Sequence, residues 1–360
     1  MLLYLHIPFC HRVCPYCSFH KHTPGSTPIP RFIEAVLAEA RGRIADPAAV
    51  RTLYLGGGTP SMLSPSHLRQ LFGGLREILD FPALDEVTME ANPATFDLSK
   101  AGLFRELGVR RVSLGIQSFE PEVLRTLGRE HDPEQAAASV RLLREAGMPS
   151  VNIDLMFSVP GLSLDGWRHT LETAIDLNPD HVSAYNLTYE EDTAFFQSLQ
   201  RGELDADEDR DAEQFHLAHA LLTAAGFEHY ETSNYARPGH RSTHNHGYWN
   251  GEDYLGLGPS SVSTLGGIRH NNVSDTDRYL RMVESVGTAV IESEALTPEQ
   301  LRLERLALLL RTAEGVPLEI VRPADPADLV EHGFARLENQ RLILTTAGAA
   351  LVDPIAAQLA

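Results

Sequence analysis

The chain has 360 residues, with 30 basic and 49 acidic side chains and a formal net charge of −19. No basic run or stripe interrupts that balance, which excludes nucleic acid as a partner, because such binding depends on neutralising phosphates. No apolar stretch approaches a membrane span, and Met1 to Ile7 lacks the basic start of a secretory signal, so a cytoplasmic protein is expected.

Short β-branched or apolar runs alternate with helical patterns along the first half. Strands are predicted over Leu2–Ile7, Thr52–Leu55, Glu86–Glu90, Arg111–Ile116, Ser150–Met156 and His181–Leu187. Between them apolar residues recur three and four apart, as in Phe32, Val36 and Ala40 and in Leu68, Leu71 and Leu75. Pro30 suits a first helical turn, and Gly108 and Gly147 suit helix ends. Six β-α units in series predict an α/β fold, a partial (β/α)6 TIM-type barrel over residues 1–200. A doubly wound open sheet is the alternative.

Residues 201–296 carry a predicted long helix, Asp207–Ala225, and a stretch from Phe227 to Leu265 rich in Tyr, His, Gly and Asn that packs on the barrel. Residues 297–360 read as a smaller winged-helix-like α+β domain. Its predicted parts are helices over Pro298–Arg311 and near Asp325–His332, a two-stranded wing over Ala335–Leu344, and a helix from Thr346. Its acidic balance argues against DNA reading and for a lid or packing role.

All three cysteines fall in Cys10-His-Arg-Val-Cys14-Pro-Tyr-Cys17. With none left for disulfides, this usage fits a reducing compartment. Three thiolates this close can hold three irons of a [4Fe–4S] cubane and leave the fourth iron open, unlike a ferredoxin cubane with four thiolates. Structural zinc is normally closed by four ligands, and here it would need His6, His11, His20 or His22 as the fourth.

Unusual polar residues sit at the carboxyl ends of the predicted strands, the edge where parallel α/β folds bind ligands. Strand two runs into Gly56-Gly57-Gly58-Thr59-Pro60, strand three ends at Glu90-Ala-Asn92, strand four at Gly115-Ile-Gln117, and strand five carries Asp154. The glycine run either makes a tight turn or exposes backbone groups to a ligand; no lysine follows it as in a P-loop. A zwitterionic ligand suits it, with Thr59 and Arg129 reaching carboxylate or hydroxyl oxygens. For Glu90 and Asp154, helix capping and a barrel-core salt bridge remain as alternatives.

Together with Tyr4-Leu-His6-Ile-Pro8-Phe-Cys10, Leu127-Gly128-Arg129-Glu-His131 and Asn152-Ile-Asp154-Leu, these motifs resemble the radical S-adenosylmethionine (SAM) superfamily, in its coproporphyrinogen III oxidase-like branch. The resemblance spans nearly the whole chain. It implies that Cys10, Cys14 and Cys17 ligate a [4Fe–4S] cluster whose open iron binds SAM. It also implies that Tyr4 and Tyr16 flank the cluster and adenine, that Gly57, Gly58 and Thr59 meet the methionyl end, and that Glu90, Gln117, Arg129 and Asp154 complete the pocket.

Within the branch, the decarboxylating oxidase has a further cysteine where this chain has Phe19, so the chain is most similar to the HemW-type haem chaperones. His244-Asn-His-Gly-Tyr-Trp249 matches their His-Asn-x-x-Tyr-Trp motif and implies His244 as a haem ligand, the alternative being a histidine that fixes a loop. Val262 stands where relatives usually carry a histidine, so any ligand role there is lost or moves to His270 or His246. The implied partners are haem or another porphyrin, haem-accepting proteins and an electron donor; a homodimer and peripheral membrane contact stay open. An oxygen-independent coproporphyrinogen III oxidase and a binding protein with a purely structural metal are the competing functions.

Overall fold

The computed structural model describes residues 1–25, 27–321 and 326–360. Six parallel strands carry the scaffold: β1 (Leu2–Ile7), β2 (Thr52–Gly57), β3 (Glu86–Ala91), β4 (Arg111–Gln117), β5 (Ser150–Phe157) and β6 (His181–Asn186). Every predicted strand is present, close to its expected limits. The crossovers hold α1 (Ile29–Arg43), α2 (Pro65–Arg76), α3 (Leu98–Glu106), α4 (Pro121–Thr126), α5 (Pro133–Glu145) and α6 (Leu164–Asp176).

Side chains alternate along each strand, and the alternation separates two environments. Leu3, Leu5, Leu53, Leu55, Val87, Met89, Val112, Leu114, Val151 and Ile153 meet Phe32, Val36, Leu68, Phe72, Phe104 and Trp167 of the helices in one apolar core. The opposite positions, Tyr4, Tyr54, Glu90, Ser113, Asn152, Asp154, His181 and Ser183, bond to one another inside the barrel. A TIM-type barrel usually fills this space with branched apolar residues. Here it is polar, because it houses a site.

After α7 (Ala194–Gln200) and α8 (Glu208–Ala224), the stretch from Glu228 extends both edges of the sheet. β7 (Glu228–Glu231) and β8 (Asn234–Ala236) add antiparallel beyond β6. The chain then forms α9 (Thr243–Trp249) and returns as β9 (Tyr254–Leu257), parallel to β1. β10 (Val262–Leu265), β11 (Ile268–Asn272) and β12 (Val290–Ala295) continue antiparallel, with α10 (Thr276–Val286) between the last two. The twelve strands run β12-β11-β10-β9-β1-β2-β3-β4-β5-β6-β8-β7 without closing. None of β7 to β12 was predicted, because this stretch lacks regular alternation.

The amino ends of β1 to β3 are plugged by α9. Gly247 packs so tightly on Leu2 that a Cβ would lie 2.8 Å from its methyl carbons. Buried Glu86 accepts from Thr243 N (2.8 Å) and Ser242 Oγ (3.2 Å), an anion placed at a helix start where the backbone dipole favours it.

The last residues build a second core around Leu306, Leu309, Val316, Leu342, Val352 and Leu359. It contains α11 (Pro298–Leu309), entered by a Thr297–Gln300 capping box, then α12 (Ala327–Glu331), α13 (Thr346–Ala349) and α14 (Val352–Leu359). The wing has three strands rather than two: β13 (Val316–Pro317) pairs with β15 (Arg341–Leu344), which pairs with β14 (Ala335–Glu338). Two residues, one of them proline, gave no strand signal. Asp325, the start of the predicted second helix, lies outside the described residues. Among the described residues no helix is long and apolar enough to cross a membrane.

Strand β9, between β10 and β1, is held on the barrel by Glu39 of α1, whose side chain is fully buried. It accepts from Gly258 N (3.0 Å), Asn272 Nδ2 (2.7 Å) and Tyr279 OH (2.7 Å) and pairs with Arg43 (3.4 Å). Glu39→Ala removes the carboxylate acceptor of Gly258 N and Tyr279 OH and one of several acceptors of Asn272 and Arg43, and is expected to cost about 3 kcal/mol or more in urea unfolding. Arg51→Ala, which loses only the exposed pairs with Asp85 and Glu252, should change the midpoint little.

Candidate functional site

At the carboxyl ends of β1 to β6 the barrel opens into a cavity of about 430 Å3. Its mouth carries the loop from Pro8 to His22, closed at its base by His22 N to Pro8 O (2.8 Å) and Cys10 N to His22 O (3.0 Å). Cys10, Cys14 and Cys17 all line the cavity, Cys10 buried and the others half-buried. Thr59 Oγ1 donates to Cys10 Sγ (3.5 Å) and Arg129 Nη1 to Cys14 Sγ (3.8 Å). Burial pushes the Cys10 thiol up, and the Thr59 hydrogen bond opposes that rise.

The glycine turn seats this loop. Gly58 N donates to Ile7 O (2.8 Å) and Thr59 N to Phe9 O (2.7 Å). A Cβ on Gly58 would lie 2.6 Å from the carbonyl oxygens of both Ile7 and Phe9, and one on Gly57, at φ 98°, would enter the His6 ring. The glycines are therefore required by a close approach of backbones, beyond the needs of the turn itself.

Glu90 and Asp154 face the cavity from β3 and β5. Glu90 accepts from Tyr54 OH (3.0 Å) and Gly57 N (3.1 Å), and Asp154 from Ser113 Oγ (3.0 Å) and Asn152 Nδ2 (2.7 Å). Neither pairs with a cation or caps a helix. Burial, aided by the Asp154 charge, pushes the Glu90 carboxyl up to about 7 against the pull of Tyr54 and Gly57. Burial also raises Asp154, opposed by its Ser113, Ser183 and Asn152 hydrogen bonds.

On the remaining wall, Arg129 bonds Asn92 Oδ1 (2.7 Å) and the Gly115 carbonyl, and Asn92 Nδ2 donates to Thr59 Oγ1 (3.1 Å). Gln117 sits at φ 73°, an unusual value for a residue other than glycine, where the β4–β5 register shifts. Its Oε1 and the Arg129 Nε are buried without a hydrogen-bond partner among the described residues. Orphaned polar atoms on a cavity wall are groups waiting for a ligand.

Of the residues expected from the sequence, the structure brings Tyr16, Gly57, Gly58, Thr59, Glu90, Gln117, Arg129, Asp154 and the cysteines to this one cavity. Two it does not. Tyr4 is not among the lining residues; it bonds His6 Nδ1 (3.0 Å), and its ring centroid lies 6.1 Å from that of Tyr54. His244 lies in the barrel floor, at the opposite end of the strands and only 1% exposed. Helix α9 carries it there, because its fold-back buries the motif under β2. His246 bonds Asn250 and Glu314, and His270 bonds Ser293; neither lines the cavity. Tyr54, Asn92, Ser113 and Tyr185 line the cavity unassigned by the sequence reading. Tyr54, Ser113 and Tyr185 stand at the inward-facing alternate positions of their strands, a signal open to sequence inspection.

The zinc alternative requires a histidine turned to the thiols. His6 and His22 have both ring nitrogens engaged, by Tyr4 and the His20 carbonyl and by the Thr23 carbonyl and Thr276. Among the described residues no three His, Cys, Asp or Glu side chains converge on one ion position. A cubane needs no such convergence, since each thiolate takes a different iron. Three thiols in one loop, a glycine turn on the cavity wall, two buried carboxylates and orphaned polar atoms fit a [4Fe–4S] cluster beside a zwitterionic, hydroxyl-bearing ligand such as SAM.

Fold and site together define a radical SAM protein, and the Radical SAM superfamily model matches residues 4–174. The heme chaperone HemW of Bacillus subtilis (strain 168) is 32% identical, over 98% of this chain and 97% of its own. That of Mycobacterium tuberculosis (strain ATCC 25618 / H37Rv) is 37% identical, over 98% and 93%. Among solved structures, the coproporphyrinogen III oxidase (HemN) from Escherichia coli, a radical SAM enzyme, gives a TM-score of 0.82 at 25% identity, covering 99% of this chain and 89% of its own. The chain belongs to the HemW family of the radical SAM superfamily, whose cofactors are a [4Fe–4S] cluster and SAM.

Gly58→Ala should therefore lower iron and sulfide content after reconstitution severalfold, more than it lowers the unfolding midpoint, because its Cβ strikes the backbone that seats the cysteine loop. A second expectation concerns pH. Glu90 holds its proton more tightly folded (about 7) than at its ordinary 4.5, so the stability this supplies in acid is lost as pH rises through that interval. Ligand-free Glu90→Gln should lose less thermal stability between pH 5 and 8 than the wild type, as measured by calorimetry.

Proposed function

We propose that this protein is a haem chaperone, which binds haem and passes it to haem-accepting proteins, built on a radical SAM scaffold. Cys10, Cys14 and Cys17 would each give a thiolate to one iron of the cluster. Gly57, Gly58, Thr59, Glu90, Gln117, Arg129 and Asp154 would hold SAM, with Tyr16 at the mouth. When bound, the pair supplies one-electron reductive chemistry, fed by an electron donor. The chain's own contribution is to orient: Arg129 fixes Asn92, Asn92 fixes Thr59, and Thr59 and Arg129 steady two of the thiols. A cytoplasmic location belongs to the same reading.

One observation carries it. The chain matches HemW relatives from end to end, and at the position where the decarboxylating oxidase has its further cysteine it has Phe19, 67% exposed beside the cluster loop. Haem coordination by His244 would require α9 to leave the barrel floor.

Anaerobic reconstitution is expected to load about four irons and four sulfides per chain. Serine at any of the three cysteines should abolish loading. SAM should alter the electron paramagnetic resonance spectrum of the reduced cluster, and haem titration should saturate a Soret band. Protoporphyrinogen formed at catalytic turnover from coproporphyrinogen III would move the protein to the oxidases, and one zinc without sulfide would end both readings.

A further inference from the structure

The His-Asn-x-x-Tyr-Trp helix and the cysteine loop occupy opposite ends of the barrel, yet continuous contacts join them. His244 Nδ1 bonds Thr52 Oγ1 at 2.8 Å, at the start of β2. The His244 ring stacks on Tyr54, with centroids 4.9 Å apart and planes 29° apart. Tyr248 closes on the imidazole edge-on, also at 4.9 Å. Tyr54 then donates its hydroxyl to Glu90 Oε1 at 3.0 Å, inside the cavity.

A second line starts two residues earlier, at the residue that caps α9. Ser242 N donates to Tyr230 OH (3.2 Å), which bonds His181 Nε2 (2.8 Å). His181 Nδ1 bonds Asn152 Oδ1 (2.6 Å), whose amide donates to Asp154 Oδ1 (2.7 Å). Both carboxylates of the cavity thus rest on residues 242 to 244. The floor itself is braced by Glu86, which binds the start of α9.

We propose that His244 is a positioning residue for the SAM site: by packing against Tyr54 from the barrel floor, it holds the Glu90 carboxylate in the cavity wall, and it is not a haem ligand. The inference rests on the assignment of the cavity to SAM. The imidazole meets the requirements of a brace, and its Nε2, buried without a hydrogen-bond partner among the described residues, is kept from a porphyrin by a burial that leaves the residue 1% exposed. It is enclosed, it is bonded to β2, and it contacts Tyr54 and Tyr248. Burial lowers its pKa to about 3, so it stays a neutral ring throughout the working range and its effect does not come from charge.

The test uses full-length, cluster-reconstituted protein. SAM affinity is measured by equilibrium dialysis, haem by Soret absorbance, and folding by thermal midpoint. His244→Ala should weaken SAM binding about tenfold, and Tyr54→Phe, which keeps the ring and removes the hydroxyl, by a similar factor. The double variant should lie within about twofold of the weaker single variant, because both act through Glu90. Thr52→Val preserves shape, should weaken binding about threefold, and answers the question should the alanine variant fail to fold. The haem spectrum should stay unchanged throughout. Folded His244→Ala or Thr52→Val protein with SAM affinity within twofold of wild type overturns the proposal. A lost Soret band with SAM affinity intact gives the ring to haem, overturning it while leaving the chaperone function standing. Wild-type protein that binds no SAM removes the site assignment beneath it.

Discussion

The structure depends on one backbone contact, the meeting of the β1 and β2 ends. Ile7 and Gly57 are partners in the parallel register, and Gly58 then lies against the carbonyls of Ile7 and Phe9 while donating to the first. Only a residue without a side chain allows that approach. From this contact follow the height of the cysteine loop above the barrel, the bond from Thr59 to Cys10, and the line through Asn92 to Arg129 and Cys14. The thiols are held by residues on β-strand ends and short turns, which are stiffer supports than a free loop would be.

The barrel interior can be polar because the apolar core lies elsewhere, between the outward strand faces and the helices. Burying two carboxylates in one cavity wall still costs free energy. That cost is reduced by hydrogen bonds from Tyr54, Gly57, Ser113 and Asn152, and it persists in the raised Glu90 pKa. A site that holds groups in an unfavourable state when empty gains from a ligand that relieves them. The floor helix α9 packs on Leu2 and Glu86 at the amino ends of the strands, opposite the mouth framed by the cysteine loop.

Kinship with HemW proteins and a close structural likeness to a coproporphyrinogen III oxidase are compatible, because a shared scaffold does not by itself set the chemistry. The two readings part at single residues. Phe19 removes a sulfur donor from the loop, and an exposed aromatic ring takes its place. His244, which the motif suggests as an iron ligand, is instead packed inside the fold, and its influence on the cavity runs through Tyr54.

Local chemistry was legible in the amino-acid order alone. The three-cysteine spacing, the glycine run, the six parallel strands and the polar residues at their ends all follow from short-range rules of periodicity, ligand spacing and turn geometry. The strands between Glu228 and Ala295 were not legible, since they form by adding to edges whose position no local pattern encodes. The same limit applies to direction. Tyr4 and His244 belong to motifs with recognisable residues, but which way each side chain points depends on what the barrel places around it. Packing decides that: Tyr4 bonds inward to His6, and α9 folds beneath β2, so the ring that the motif implies as a haem ligand lies in the floor.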